Sequence, residues 1–141
     1  MSKLTLAQAN TIISAALAEA RQRAYRAMAV VVLDESGHVR AVQREDGASM
    51  FRIEIATGKA WAAVGMGASS RTLGERARDN PTFYGALPAT AQGKFLAQTG
   101  AVLIKNAAGE IIGAAGASGG TGDEDEAICM TGITAAGLQY A

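Results

Sequence analysis

One cysteine, one histidine and two prolines are all this 141-residue chain contains of those residue types, and neither sign of charge is in surplus. A lone cysteine excludes an intrachain disulfide, and one histidine beside it cannot complete a four-ligand zinc set, so no metal site is expected. The same scarcity leaves little for a Cys–His or Ser–His–Asp mechanism. Thirteen basic side chains balance thirteen acidic ones. The basic surplus that neutralises phosphates is therefore missing, and no nucleic-acid partner is expected. No run approaches a membrane span and the N-terminal MSKLTLAQAN has no h-region, so the expectation is a soluble, cytoplasmic protein without a membrane partner. Aromatics make up 5% of the residues, while hydrophobic residues reach 49% and charged ones 18%. That balance excludes a disordered chain and suits one domain over 1–141 with a real core. Its abundant Ala and Gly allow close backbone packing and leave apolar surface for subunit contacts.

What is present has a clear order. Thr5 and Gln8 have the spacing of a capping box, and Ala9, Ile13, Leu17, Ala20 and Ala24 recur behind them at helical spacing, predicting a helix over 5–24. The β-branched run MAVVVLD (28–34) suits a strand buried on both faces, and VRAVQR (39–44) returns after a turn at Gly37. The same grammar recurs in AVLIKNAAGEIIGAA, where Asn106 and Gly109 stand as Asp34 and Gly37 did. Between these two hairpins, 49–67 reads as a thin helix capped by Ser49, with Ile53, Ala56, Ala60 and Val64 on one face. Residues 68–93 hold both prolines and read as a short helix plus an irregular excursion, and KFLAQ (94–98) as an edge strand. A last helix is expected over 123–138. The whole is an α+β layered domain of five mostly antiparallel strands flanked by helices.

Several constellations carry chemistry, each with a bland counterpart. In REDGA (44–48), Arg44 has the chemistry to clamp a carboxylate, with Glu45 or Asp46 as proton acceptor. The alternative is a turn at Asp46–Gly47 and a structural ion pair. Lys59 stands in a helix of Ala, Gly, Ile and Trp, where a buried amine works as base or nucleophile and a snorkelling one only covers Trp61. SGGTG (118–122) offers backbone N–H groups to an anion. The acidic quartet Asp123–Glu126 behind it equally suits a helix N-terminus capped by Thr121 or Asp123. Within the quartet only Glu124 is kept as a proton-carrier candidate. Cys129 reads as a buried, inert thiol. Phe83, Tyr84 and Leu87 suit either a flat apolar ligand or a subunit interface, and Arg52, Arg71, Arg76 and Arg78 suit acidic ligand groups.

VVVLDESGHVRAVQREDGA, IEIATGKAWAA and TGAVLIKNAAGEIIGAAGASGGTGDEDEA follow, in order and spacing, the pattern of the GlcG/HbpS-like family, which the chain resembles from about residue 5 to its end. That family also occurs as the C-terminal domain of PduO-type corrinoid adenosyltransferases. The resemblance implies a profilin-like fold, assembly as a homo-oligomer from dimer to octamer, and a small-molecule ligand. Haem is the cofactor implied for some members, and many members sit in catabolic operons. It also brings Gly116, Ser118 and Gly119 beside a pocket and adds weight to Arg44; Arg52, Phe83 and Tyr84 are ligand-binding candidates by their own chemistry. The sequence departs from the pattern at Thr99-Gly100, where two glycines are usual. Its only histidine, His38, falls in a predicted turn. Three functional classes follow: an oligomeric binding protein for haem or a similar flat acidic cofactor, a cofactor-free acid–base enzyme acting on a carboxylate or carbonyl metabolite through Asp46, Glu45, Lys59 or Glu124, and an operon accessory scaffold.

Overall fold

The computed structural model describes residues 3–141. Helix α1 (Leu6–Gln22) begins at the Thr5–Gln8 capping box, with Gln8 N–H donating to Thr5 Oγ1 and Thr5 N–H to Gln8 Oε1. It buries Ala9, Ile12, Ile13, Ala16 and Ala20, so the expected stripe holds at Ala9, Ile13 and Ala20, while Leu17 is half-buried and Ala24 is exposed beyond the helix end. Strands β1 (Ala29–Asp34) and β2 (Val39–Arg44) form the first antiparallel hairpin, and β3 (Ala101–Lys105) and β4 (Ile111–Ser118) the second. Both tips are built alike. Asp34 Oδ1 accepts the N–H groups of Ser36 and His38, while Asn106 Oδ1 accepts those of Ala108 and Glu110. Such side chains mimic a backbone turn, which is why Asp and Asn recur at this position.

The sheet runs β2-β1-β4-β3-β5, with every neighbouring pair antiparallel. The fifth strand is Gln139–Tyr140, paired with β3 at the end of the chain. This corrects the expected edge strand at 94–98. KFLAQ instead lies against the central helix, where Leu96 N–H donates to Gly58 O and Phe95 is buried. A two-residue strand has no hydrophobic period to read, so its pairing with β3 comes from the tertiary fold alone.

Helices α1 and α5 (Gly122–Ala135) cover one sheet face, and α2 (Arg52–Met66) covers the other. Strand β1 is therefore buried on both sides, with Ala29 to Leu33 all at 0% exposure. Each such Val or Leu contributes about 1.5–3 kcal/mol by leaving water. Opposite Ile104 and Lys105 the register shifts by one residue on β4, and Ile112 joins the α1–α5 core.

Two further differences from the expected elements have local causes. Residues 68–93 are mostly two helices, α3 (Ser70–Asp79) and α4 (Pro81–Thr90), packed on the outer side of α2 through Ala62, Leu73, Tyr84 and Phe95. Pro81 occupies the first turn of α4, where the missing N–H has no intrahelical partner to lose. Ser49 does not cap α2 with its hydroxyl; its carbonyl accepts Arg52 N–H, and the N-cap position falls to Phe51.

Candidate functional site

The centre of the molecule holds an ion pair where an apolar core would be expected. Lys59 on α2 and Asp125 on α5 are each 2% exposed, with Lys59 Nζ 3.0 Å from Asp125 Oδ2. Lys59 also donates to Ala117 O at 3.1 Å, and Asp125 Oδ1 accepts Gly120 N–H at 2.9 Å. The pair thus links both helix layers through the end of β4. Gly100 makes room for it: a Cβ there would lie 2.5 Å from Lys59 Nζ, and the residue adopts φ +139°. Burial pushes the Asp125 carboxyl above its ordinary range, opposed by Lys59, the Gly120 N–H and Arg52.

In front of this pair β4 ends at Ser118, whose Oγ accepts a hydrogen bond from Arg52 Nη1 at 3.3 Å. Arg26, Ser49, Arg52 and Gly119 line one groove of about 340 Å³, together with Gly47 and Ala48. Two arginines, a serine and two glycines around one opening are residue types that carry the N–H and O–H donors a carboxylate requires. On the next residues of α2 a mainly apolar groove of about 420 Å³ begins, lined by Ile53, Ile55, Gly58, Phe95 and Leu96.

The remaining candidates lie in several places. Arg44, Glu45 and Asp46 line a separate polar groove of about 460 Å³ with Arg21 and Ala27. There Arg44 Nη1 donates to Ala48 O, Glu45 accepts Met28 N–H and pairs with Arg21 at 3.0 Å, and Asp46 is exposed. Glu124 closes a capping box with Thr121 at the start of α5. Gly116 lies under α2, so close to Ala56 O that any side chain there would collide with the helix. Phe83 and Tyr84 stand on α4 beside Arg76 in another groove, with Tyr84 packed against Phe95. Arg71 forks onto Glu126 and also meets Asp123, so both acidic groups hold its charge in place and raise its pKa.

Sequence reasoning read Asp125 and Glu126 as part of an acidic helix N-terminus and Ser49 as a helix cap, and passed over Arg26. A signal for Asp125 was available. Asp125, Ile128, Cys129 and Gly132 follow i, i+3, i+4, i+7 spacing, and all four are buried. A carboxylate on the apolar stripe requires a buried partner.

The groove suits the acidic groups of a haem-like molecule better than its iron. His38 is exposed on the β1–β2 turn, whose Gly37 abuts Trp61. Trp61 lies nine residues along α2 from Arg52, about 14 Å at 1.5 Å per residue. Cys129 is fully buried, and desolvation together with the Asp125 and Glu126 carboxylates raises its thiol pKa well above the ordinary range. Among the described residues no cluster of His, Cys, Asp and Glu is arranged to hold a metal ion, and no helix is long and apolar enough to cross a membrane.

Comparison with known proteins agrees with this architecture. The family described as "Haem degrading protein HbpS-like" matches residues 4–134. PduOC, solved as a complex with haem, superposes with a TM-score of 0.87 at 28% identity over 97% of both chains. A double mutant of Streptomyces reticuli HbpS gives 0.83 at 27% identity, over 95% of this chain and 87% of that one. Klebsiella pneumoniae protein ORFY, at 24% identity and a TM-score of 0.87 over 97% of this chain and 93% of that one, shares the fold. No match is found among curated protein sequences.

Proposed function

Because the chain belongs to the HbpS-like family, we propose that it is an oligomeric small-ligand-binding protein whose ligand is haem or a similarly flat, acidic cofactor. The observation that carries this reading is the convergence of Arg26, Arg52, Ser49 and Gly119 on one groove. In it Arg52 and Arg26 bind and orient the ligand's carboxylates, and the apolar groove along α2 takes part of its body. Each of these grooves is at the small end of the roughly 300–1,000 Å³ range of ligand sites. That supports a homo-oligomer, two to eight copies, in which a neighbouring copy completes the enclosure. Haem, when bound, supplies the redox-active iron, and the residues of this groove hold the periphery of the macrocycle. The same reading has the protein in the cytoplasm without nucleic-acid or membrane partners, supported by its balanced charge and single cysteine.

The acid–base enzyme reading has narrower support. Its best place is the groove of Arg44 and Asp46, since Glu45, Lys59 and Glu124 are engaged by Arg21, Asp125 and Thr121 respectively. Titration with haemin tests the preferred reading. A Soret shift saturating at stoichiometric haemin is expected, and Arg52→Ala should weaken binding about tenfold or more by removing a charge-assisted hydrogen bond. No Soret shift at stoichiometric haemin would exclude haem as the ligand.

A further inference from the structure

The passage that leaves β4 is short of side chains that could hold it. Ser118 is followed by Gly119 and Gly120, and Gly119 adopts φ +152° where any side chain would collide with Ala27 O. Glycine restricts its own backbone least, so the shape of this passage must be imposed from outside. Two anchors flank it. Ala117 O accepts from Lys59 Nζ at 3.1 Å, and Gly120 N–H donates to Asp125 Oδ1 at 2.9 Å. Both anchors belong to one buried ion pair. Between them lie the Ser118 hydroxyl that receives Arg52 and the Gly119 backbone that lines the arginine groove.

Stability alone is a poor reason for that pair. Removing two charges from water offsets most of their attraction, and well-packed apolar side chains of similar volume often stabilise as much or more. Lys59 and Asp125 nevertheless interrupt two apolar stripes, Ala56–Ala60–Ala63 on α2 and Ile128–Cys129–Gly132 on α5. Hydrogen bonds to fixed backbone atoms are what they provide and apolar residues do not.

We propose that Lys59 and Asp125 are positioning residues that hold Ser118–Gly120 in the shape the acid-binding groove requires. The pair touches no ligand; it acts through Ala117 O and Gly120 N–H. The inference rests on reading the arginine groove as the binding site, and its test separates the two ideas.

The variant Lys59→Met/Asp125→Leu replaces both charges with apolar side chains and is expected to keep a thermal midpoint close to that of the unmodified protein. Its Gly120 amide should exchange with solvent at least tenfold faster, and haemin should bind at least tenfold more weakly. Lys59→Met/Asp125→Asn retains an oxygen acceptor for Gly120 and leaves no unpaired charge. It should restore most of the Gly120 protection and part of the affinity, which a merely space-filling role would not do. This second variant also keeps the test decisive if the leucine variant does not fold, because Gly120 protection lost despite the Asn acceptor counts against the proposal. Unchanged Gly120 exchange and unchanged haemin binding in the leucine variant would overturn it. If the amide loosens while the unmodified protein itself fails to bind haemin, the positioning role stands and the haem reading falls.

Discussion

Lys59 and Asp125 sit almost completely out of water, so each is tolerable only because the other is there. The neighbouring Cys129 shares that environment and has the opposite fate: a neutral thiol needs no partner, and two nearby carboxylates disfavour its thiolate. Because the thiol pKa is raised, the reactive anion is absent throughout the neutral and mildly alkaline range while the protein is folded. Ellman's reagent at pH 8 should therefore label less than one tenth of Cys129 in the native protein and all of it in concentrated guanidinium chloride. Rapid native labelling would show that the core around α5 opens far more readily than its packing indicates. The sequence reading of Cys129 as an inert thiol and of Thr121 or Asp123 as the helix cap rested on local chemistry, and the structure places the cap at Thr121. The Lys59–Asp125 pair joins residues 66 positions apart, and no local pattern names such a partner.

Elements are fastened to one another by contacts of unequal kind. Helices α1 and α5 approach so closely that Gly132 lies against Ile12 O with no room for a side chain. Helix α3, by contrast, buries only Ser70 and Leu73 and is tied to α5 by the Arg71 fork onto Glu126. Ser70 adds a second tie by donating to Ala101 O and accepting Ala101 N–H. Arg71→Ala removes the charged tie and takes from Glu126, 8% exposed, the guanidinium that bonds both of its carboxylate oxygens. The expected result is a loss of about 1–3 kcal/mol, seen as faster hydrogen exchange across residues 70–90 with the sheet unaffected. Equal acceleration in β1 and β4 would show instead that α3 and α4 unfold only with the whole protein. The sequence reading expected one short helix in this region and an irregular excursion where α4 stands, because Pro81, Gly85 and Pro88 mask the period of α4. Proline at the first turn and a serine cap are nonetheless helix signals, and Ser69 does accept Thr72 N–H at 3.3 Å.

At the scale of the whole molecule, the sheet is covered on both faces but not along β2. None of the six β2 residues is buried, and Val39 and Val42 are exposed there. At the start of α2, Met50 and Phe51 are 74% and 61% exposed, next to Ser49 and Arg52 of the arginine-lined groove. Large apolar side chains presented together to solvent are the usual mark of a contact surface. Sedimentation should give a mass at least twice the 14.4 kDa of one chain, and Phe51→Glu should shift the population toward monomer while weakening haemin binding. A monomeric unmodified protein would leave the groove open and remove the homo-oligomer from the proposed function.

The sequence by itself determined the layers: a capped amphipathic helix, a doubly buried strand, two hairpins turning at Gly37 and Gly109, and a last helix with an acidic first turn. These follow from periods and turn chemistry that act within a few residues. Only the tertiary structure decided which charges meet. It brought Arg26, Ser49, Arg52 and Gly119 to one opening, left Phe83 and Tyr84 on a different groove, and set Lys59 against Asp125 behind Ser118. The pairing of β1 with β4 and the crossing of α2 over the sheet bring these distant residues together. Their energies depend on burial, a property no single segment possesses until the others have folded over it.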